Sequence, residues 1–216
     1  MIPVIQGSLT TTSYTGTETN QLINLPSGVS SGELLLIFAL VDRNRGAPTG
    51  LSAYTNLNYY AGDPGGGVFY KIATGSEPNP TATYSSGCNA TYVTARVSNF
   101  DTGQNPVTSG TTTGTSTAPD SNNIVLVWGP ADALVFSLFS TYDNTGVTIS
   151  SQPSTYTGPT PNSGIGAISY KGFLNISSEN PGAFTISPSI LWRAVTVAVK
   201  GANASLAKNY GSTIYG

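Results

Sequence analysis

The chain has 216 residues, of which 8% are charged, and a net charge of −2 with no histidine, whereas an ordinary soluble domain carries about 25% charged residues. Eight dispersed Lys and Arg give no field to hold a phosphate backbone, and the lack of His removes Ser-His-Asp and Cys-His catalysis and the usual zinc sites. The longest apolar run, Leu34 to Val41, is far shorter than the roughly 20 residues of a membrane-spanning helix, so neither nucleic acid nor a membrane is expected as a partner.

From the N-terminus, Met1 to Gln6 lacks a basic segment, a long apolar stretch and a cleavage site, so no secretory leader is expected. Period-2 alternation then dominates and helical periodicity is missing. Strands are expected over Val4 to Leu9, Leu34 to Val41, Val68 to Ala73, Thr81 to Ser85 and Thr91 to Ser98. Further on they are expected over Ile124 to Trp128, Ala133 to Ser140, Ala167 to Leu174, Phe184 to Ser187 and Trp192 to Val199. Turn clusters separate them, such as Pro26-Ser27-Gly28, Asp101-Thr102-Gly103 and Asn180-Pro181-Gly182, where Gly supplies positive φ and Asp or Asn caps its own turn. The Gly-rich stretch Gly62 to Gly67 runs into Val68 and Phe69 rather than Lys and Ser or Thr, so it reads as a hairpin connection and not a phosphate loop.

About ten strands with this punctuation predict an all-β fold, a two-sheet antiparallel β-sandwich of jelly-roll type. No repeat of fixed period stands out. Two low-complexity segments, Thr108 to Pro119 and Ser150 to Gly166, read as long loops within a single domain over residues 1–200, since either half alone would make a marginal sandwich. Residues 201–216 read as an extended C-terminal arm with a reach of roughly 50 Å, about three times the radius of gyration of a compact domain this size. Tyr210, Ile214 and Tyr215 suit that arm to lying on a neighbour rather than hanging free.

Few residues offer chemistry. The ten carboxylates sit mainly in turn signatures, where they have local structural work, so no catalytic residue and no cofactor are assigned and the chain is expected not to be an enzyme. Asp42 with Asn44, or Asp143 with Asn144, could offer oxygens to calcium, but no dense run of acidic ligands appears and no metal is assigned. Cys88, the single cysteine, reads as a small buried residue. The sequons at Asn89, Asn175 and Asn203 are what chance supplies in a chain so rich in Asn, Ser and Thr. Among twelve tyrosines, Tyr54, Tyr59, Tyr60, Tyr142 and Tyr156 lie in loop-like surroundings and are candidate partner-binding residues, while Phe38, Phe136 and Trp128 are expected in the interior.

Leu34 to Val41 is apolar on both of its faces, and Ala133 to Phe139 is nearly so, whereas a strand of a solitary sandwich should show one polar face. Something must cover the second face, either the chain's own loops or other subunits. The uncharged exterior favours the second, because charge opposes association. A homo-oligomer or a component of a larger assembly is expected.

The phrases Asn24-Leu25-Pro26-Ser27-Gly28-Val29-Ser30-Ser31-Gly32-Glu33-Leu34-Leu35-Leu36, Phe69-Tyr70-Lys71-Ile72-Ala73-Thr74-Gly75-Ser76-Glu77-Pro78 and Trp192-Arg193-Ala194-Val195-Thr196-Val197-Ala198-Val199 carry a resemblance, with Ala95 to Asp101 in the same pattern. They resemble a family of small β-sandwich virion structural proteins of tailed bacteriophages, across roughly residues 20–200. The resemblance implies a place in the virion, assembled in the host cytoplasm, and partners among the major capsid protein or other virion proteins. It supplies no functional residues. Two roles are expected from it: a capsid decoration or cement protein, or a tail or fibre adhesin that binds a host-surface glycan through loop tyrosines.

Overall fold

A computed structural model describes residues 1–142, 147–161 and 164–203. The first half of the chain forms β1 (Val4–Ile5), β2 (Thr10–Tyr14), β3 (Asn20–Leu22), β4 (Leu34–Val41), β5 (Thr55–Tyr60), β6 (Gly65–Ile72), β7 (Thr81–Thr83) and β8 (Ala90–Ser98). The second forms β9 (Val107–Thr108), β10 (Thr112–Ser116), β11 (Ile124–Val125), β12 (Ala131–Thr141), β13 (Thr148–Ser151), β14 (Thr157–Thr160), β15 (Gly166–Ile176), β16 (Ser178–Glu179), β17 (Thr185–Ser187) and β18 (Ile190–Lys200). The described residues contain no helix.

The fold is an all-β, antiparallel two-sheet sandwich, and each sheet comes from one half of the chain. One sheet runs β1-β8-β4-β6-β5 with β2 also on β8; the other runs β10-β18-β12-β15-β14 with β9 also on β18. Alternation decides which residues meet between them. Leu34, Leu36, Phe38 and Leu40 of β4 face Leu134, Phe136 and Leu138 of β12 in one core, where the Phe38 and Phe136 rings lie 4.9 Å apart. The sheets are stitched at one end, where the Asp101 N–H donates to the Lys200 carbonyl at 2.9 Å and the Lys200 ammonium sits 2.9 Å from the Asp101 carboxylate.

The second apolar faces are covered by the chain itself, the one of the two expected covers that the uncharged exterior had disfavoured. Leu35, Ile37, Ala39 and Val41 lie beneath Ile23, Leu51, Tyr84 and Cys88 from the surrounding loops and the small β3–β7 sheet. On the other side Phe139 lies beneath Val147, Ile149, Phe184 and Ile186, the last two strapped across by β13–β17, and Val135 beneath Ile124 and Leu126 around β11–β16. The result is four layers: lid, sheet, sheet, lid. Each large aliphatic side chain buried this way contributes about 1.5–3 kcal/mol, so an isolated chain has ample reason to close over its own strands.

The low-complexity segments also differ from expectation, since Thr108 to Pro119 holds edge strand β10 and Ser150 to Gly166 holds β14. Thr residues make acceptable strands on a half-exposed edge. Their monotony conceals the alternation.

The two halves repeat one another. Leu34 pairs with Ile72 and with Val97, and Leu134 pairs with Gly172 and with Val199. Thr55 opposes Tyr70 as Thr157 opposes Tyr170, and Tyr14 opposes Ala90 as Gly114 opposes Trp192. The lid bridge Thr49 to Thr83 returns as Ser151 to Thr185. Chemical matches follow the topology: Tyr70-Lys71 and Tyr170-Lys171, Tyr54 and Tyr156, Ser76-Glu77 and Ser178-Glu179. Gly66 and Gly166 match because a side chain at either would collide with backbone, at the Ala39 and Phe139 carbonyls respectively, which are themselves counterparts. The two sheets share one strand order and register, a repeat whose spacing drifts between 100 and 102 residues and which a search for a fixed period does not find.

Candidate functional site

The repeat places one polar cluster on each outer face. In the first, Glu77 accepts from the Lys71 ammonium at 2.7 Å, from the Thr74 N–H at 2.6 Å and from the Thr74 hydroxyl at 2.9 Å. The Lys71 hydrogen bond, seconded by the Thr74 amide, holds the Glu77 carboxyl down to about 2. The Lys71 ammonium also lies 5.5 Å from the Tyr54 ring centre, and burial pushes the Tyr54 phenol up to about 12. In the second cluster Tyr156 donates to Glu179 at 3.1 Å, while Lys171 lies 4.6 Å from the Phe173 ring and donates to Thr155 at 2.7 Å. Burial, and then the Glu179 charge, raise the Tyr156 phenol. Both clusters clamp a sheet to its lid.

Beneath the first lid, Gln21 is fully buried and donates to the Cys88 carbonyl at 2.9 Å. Its own carbonyl accepts from the Tyr92 hydroxyl at 2.6 Å, and that hydroxyl lies 3.1 Å from the Tyr84 hydroxyl. Cys88 is buried, as its sequence context suggests, and burial followed by the Asp42 charge pushes its thiol up to about 11. It is a protonated packing residue at neutral pH.

The carboxylates do the turn work expected of them. Glu33 accepts from the Ser30 N–H, Asp63 from Asn44, Asp101 from Gly103 and Asp132 from Asn175. Asp42 accepts from the Asn89 side-chain amide at 2.7 Å, and the Asn44 side chain accepts from Gly46, so these two are turned to separate local tasks. Among the described residues no three of His, Cys, Asp and Glu gather as metal ligands. Asp143 and Asn144 lie outside the described residues.

The candidate tyrosines do not form one surface. Tyr54, Tyr60 and Tyr156 are 8%, 4% and 5% exposed, and Tyr59 is half-buried, which corrects their reading as surface candidates, although Tyr54 and Tyr156 do lie outside the strands. The reason is that Thr55–Tyr60 is a strand: alternation sends Tyr59 toward the lid and Tyr60 into the core between the sheets, while Tyr54 and Tyr156 are capped by lysines. Tyr142 is exposed, with the Arg43 guanidinium 5.4 Å from its ring. Phe38 and Phe136 are interior as expected, and Trp128 packs partly buried against the second lid. Tyr210, Ile214 and Tyr215 lie outside the described residues; the segment before them is tied down, with Ala202 donating to the Asn99 carbonyl at 2.8 Å.

Two features that the sequence reading missed remain open to solvent. A hollow of about 320 Å³ is lined by Pro48, Leu51, Tyr54, Phe69 and the polar Ser52 and Asn56. Among the described residues no further strand pairs with the outer edges of β2, β5 and β10, which carry neither a charged residue nor a proline. The signal for these edges was the run of Thr, which composition presents as loop. Comparison of the chain with protein-family models, with curated proteins and with solved structures returned no match.

Proposed function

We propose that the chain is a non-enzymatic structural protein of a tailed-bacteriophage virion, a decoration or cement protein that seats on the head shell and on neighbouring subunits. The observation that carries this reading is the set of unguarded edges. Monomeric sandwiches protect exposed strand edges with charge, proline or bulges, because free N–H and C=O groups template pairing with another chain. Of the three edge strands without charge or proline, β5 has a bulge between Asn56 and Asn58, whereas β2 and β10 have regular registers with Thr and Ser side chains alone along most of their length. The self-covered core removes the argument for assembly from two-sided strands and leaves the edges to carry the reading. The phrases that resemble phage β-sandwich virion proteins agree with it.

The test is addition of purified protein to heads lacking it, with bound copies counted after sedimentation. Saturable binding is expected, and removal of residues 204–216, proposed as a clamp through Tyr210, Ile214 and Tyr215, is expected to lower occupancy. Absence of binding at any concentration would end the head-decoration reading. The adhesin alternative rests on the hollow beside Tyr54, whose aromatic lining and Asn56 amide suit a neutral sugar ring; binding to a glycan array, with no binding to heads, would select it.

A further inference from the structure

Among the unguarded edges, β10 offers a partner backbone and little else. It pairs with β18 over Thr112–Ser116 in a register without a bulge, and from Val107 to Ala118 the chain holds neither a charged residue nor a proline. Its side chains turn back onto their own chain. The Thr112 hydroxyl donates to the Asp120 carbonyl at 2.6 Å, the Thr113 hydroxyl donates to the Trp192 carbonyl at 2.9 Å, and the Ser116 hydroxyl accepts from the Trp192 indole at 3.0 Å. At the centre Gly114 lies under the Trp192 ring, which a Cβ there would strike. The groups left to bond outward are main-chain N–H and C=O, and the partner that matches them is another strand.

The surroundings favour β10 over β2. β2 and β1 lie along the same strand β8, and on their flank of the sandwich Val4 and Ile5 share a hollow with Thr157 of β14. That flank is guarded, because β14 includes Pro159, which has no N–H to give. The flank of β10 is shared with β5: Arg193, opposite Thr113, reaches across the seam to donate to the Ala61 carbonyl at 2.8 Å, and β9 touches β5. Neither β5 nor β10 carries a charge or a proline, and the bulge in β5 leaves β10 as the regular edge on this side. A twofold axis through Gly114, perpendicular to the sheet, sets β10 antiparallel against its own copy. Gly114 then faces Gly114 of the partner subunit, Thr113 faces Thr115 of the partner subunit, and no side chain stands in the way at the axis.

We propose that β10 pairs with β10 of a second copy of this chain, joining two six-stranded sheets into one. The proposal deepens the virion reading, on whose unguarded edges it rests, by naming the contact between neighbouring subunits. A five-residue pairing buries well under the roughly 1,200 Å² of a stable complex, so the dimer forms only in concentrated solution. Sedimentation velocity of the full-length protein from about 10 µM to about 1 mM should show monomer passing into dimer. Thr115→Lys, at an exposed position, should weaken the dimer at least tenfold, while Thr11→Lys on β2 leaves it unchanged. Thr113→Lys combined with Thr115→Glu should restore it, since each introduced lysine faces the other copy's introduced glutamate across the axis. Thermal melts check the folding of each variant, and Thr113→Lys replaces Thr115→Lys if the latter is unstable. A monomer throughout, a dimer lost with Thr11→Lys but kept with Thr115→Lys, or a double variant no tighter than Thr115→Lys would overturn the pairing. Binding to heads is measured separately, so heads that still take up a strictly monomeric protein would sink this contact and leave the virion reading in place.

Discussion

Gln21 shows how a single residue ties a lid to a sheet. Its side chain satisfies both the Cys88 carbonyl and the Tyr92 hydroxyl, neither of which has access to water. An unsatisfied buried polar group costs about 1–3 kcal/mol, so Gln21→Leu should lower unfolding stability by about 2–4 kcal/mol in a denaturant titration, with partial recovery when Tyr92→Phe is added. Glu77 makes a prediction in pH. Its folded value of about 2 lies below the ordinary glutamate value of about 4.3, so its contribution is complete above that ordinary value and is lost as pH falls through about 2. Asp101 and Asp132 are lowered too, by Lys200 and by the N-terminal amine, and act in the same direction, while burial raises Asp42 and opposes them. Thermal melts should therefore show stability falling on acidification below about pH 5, and Glu77→Gln should shrink that fall.

At the scale of elements, the central strands were legible because eight consecutive apolar residues in β4 and a near-continuous run in β12 admit no other reading. What covers them was not. The lid residues Ile23 and Leu51 lie outside every expected strand, and although Phe184 and Ile186 lie on an expected one, nothing local shows that it folds over the sheet. The edge strands β2 and β10 escaped for the opposite reason, since Thr on both faces leaves no alternation to detect. Self-covering carries its own prediction. Ile37 is fully buried under the lid, so Ile37→Ala should cost about 2–5 kcal/mol and do so equally in dilute and concentrated protein. Stability that rose steeply with concentration would mean that a neighbouring copy supplies the cover.

For the whole molecule, the repeat was invisible in the sequence because the matched residues are few and their spacing drifts: Tyr70 and Tyr170 lie 100 positions apart, Glu77 and Glu179 lie 102 apart. Register, not identity, carries the repeat. Of the candidate site, the turn roles of the carboxylates were readable from local signatures, whereas the hollow beside Tyr54 joins Pro48 and Leu51 to Phe69 of β6 and needed the fold to be seen. Two sheets that each bring their own lid yield a closed body whose remaining valence lies at its edges, and the proposed attachment to a virion depends on that arrangement.

The most direct test is occupancy on particles of the double variant Thr11→Lys and Thr115→Lys, which charges exposed positions on both regular edges while touching no core residue. Unchanged thermal stability together with a large loss of bound copies, relieved by added salt, is the predicted result. Full occupancy by a normally folded double variant would contradict docking through the edges.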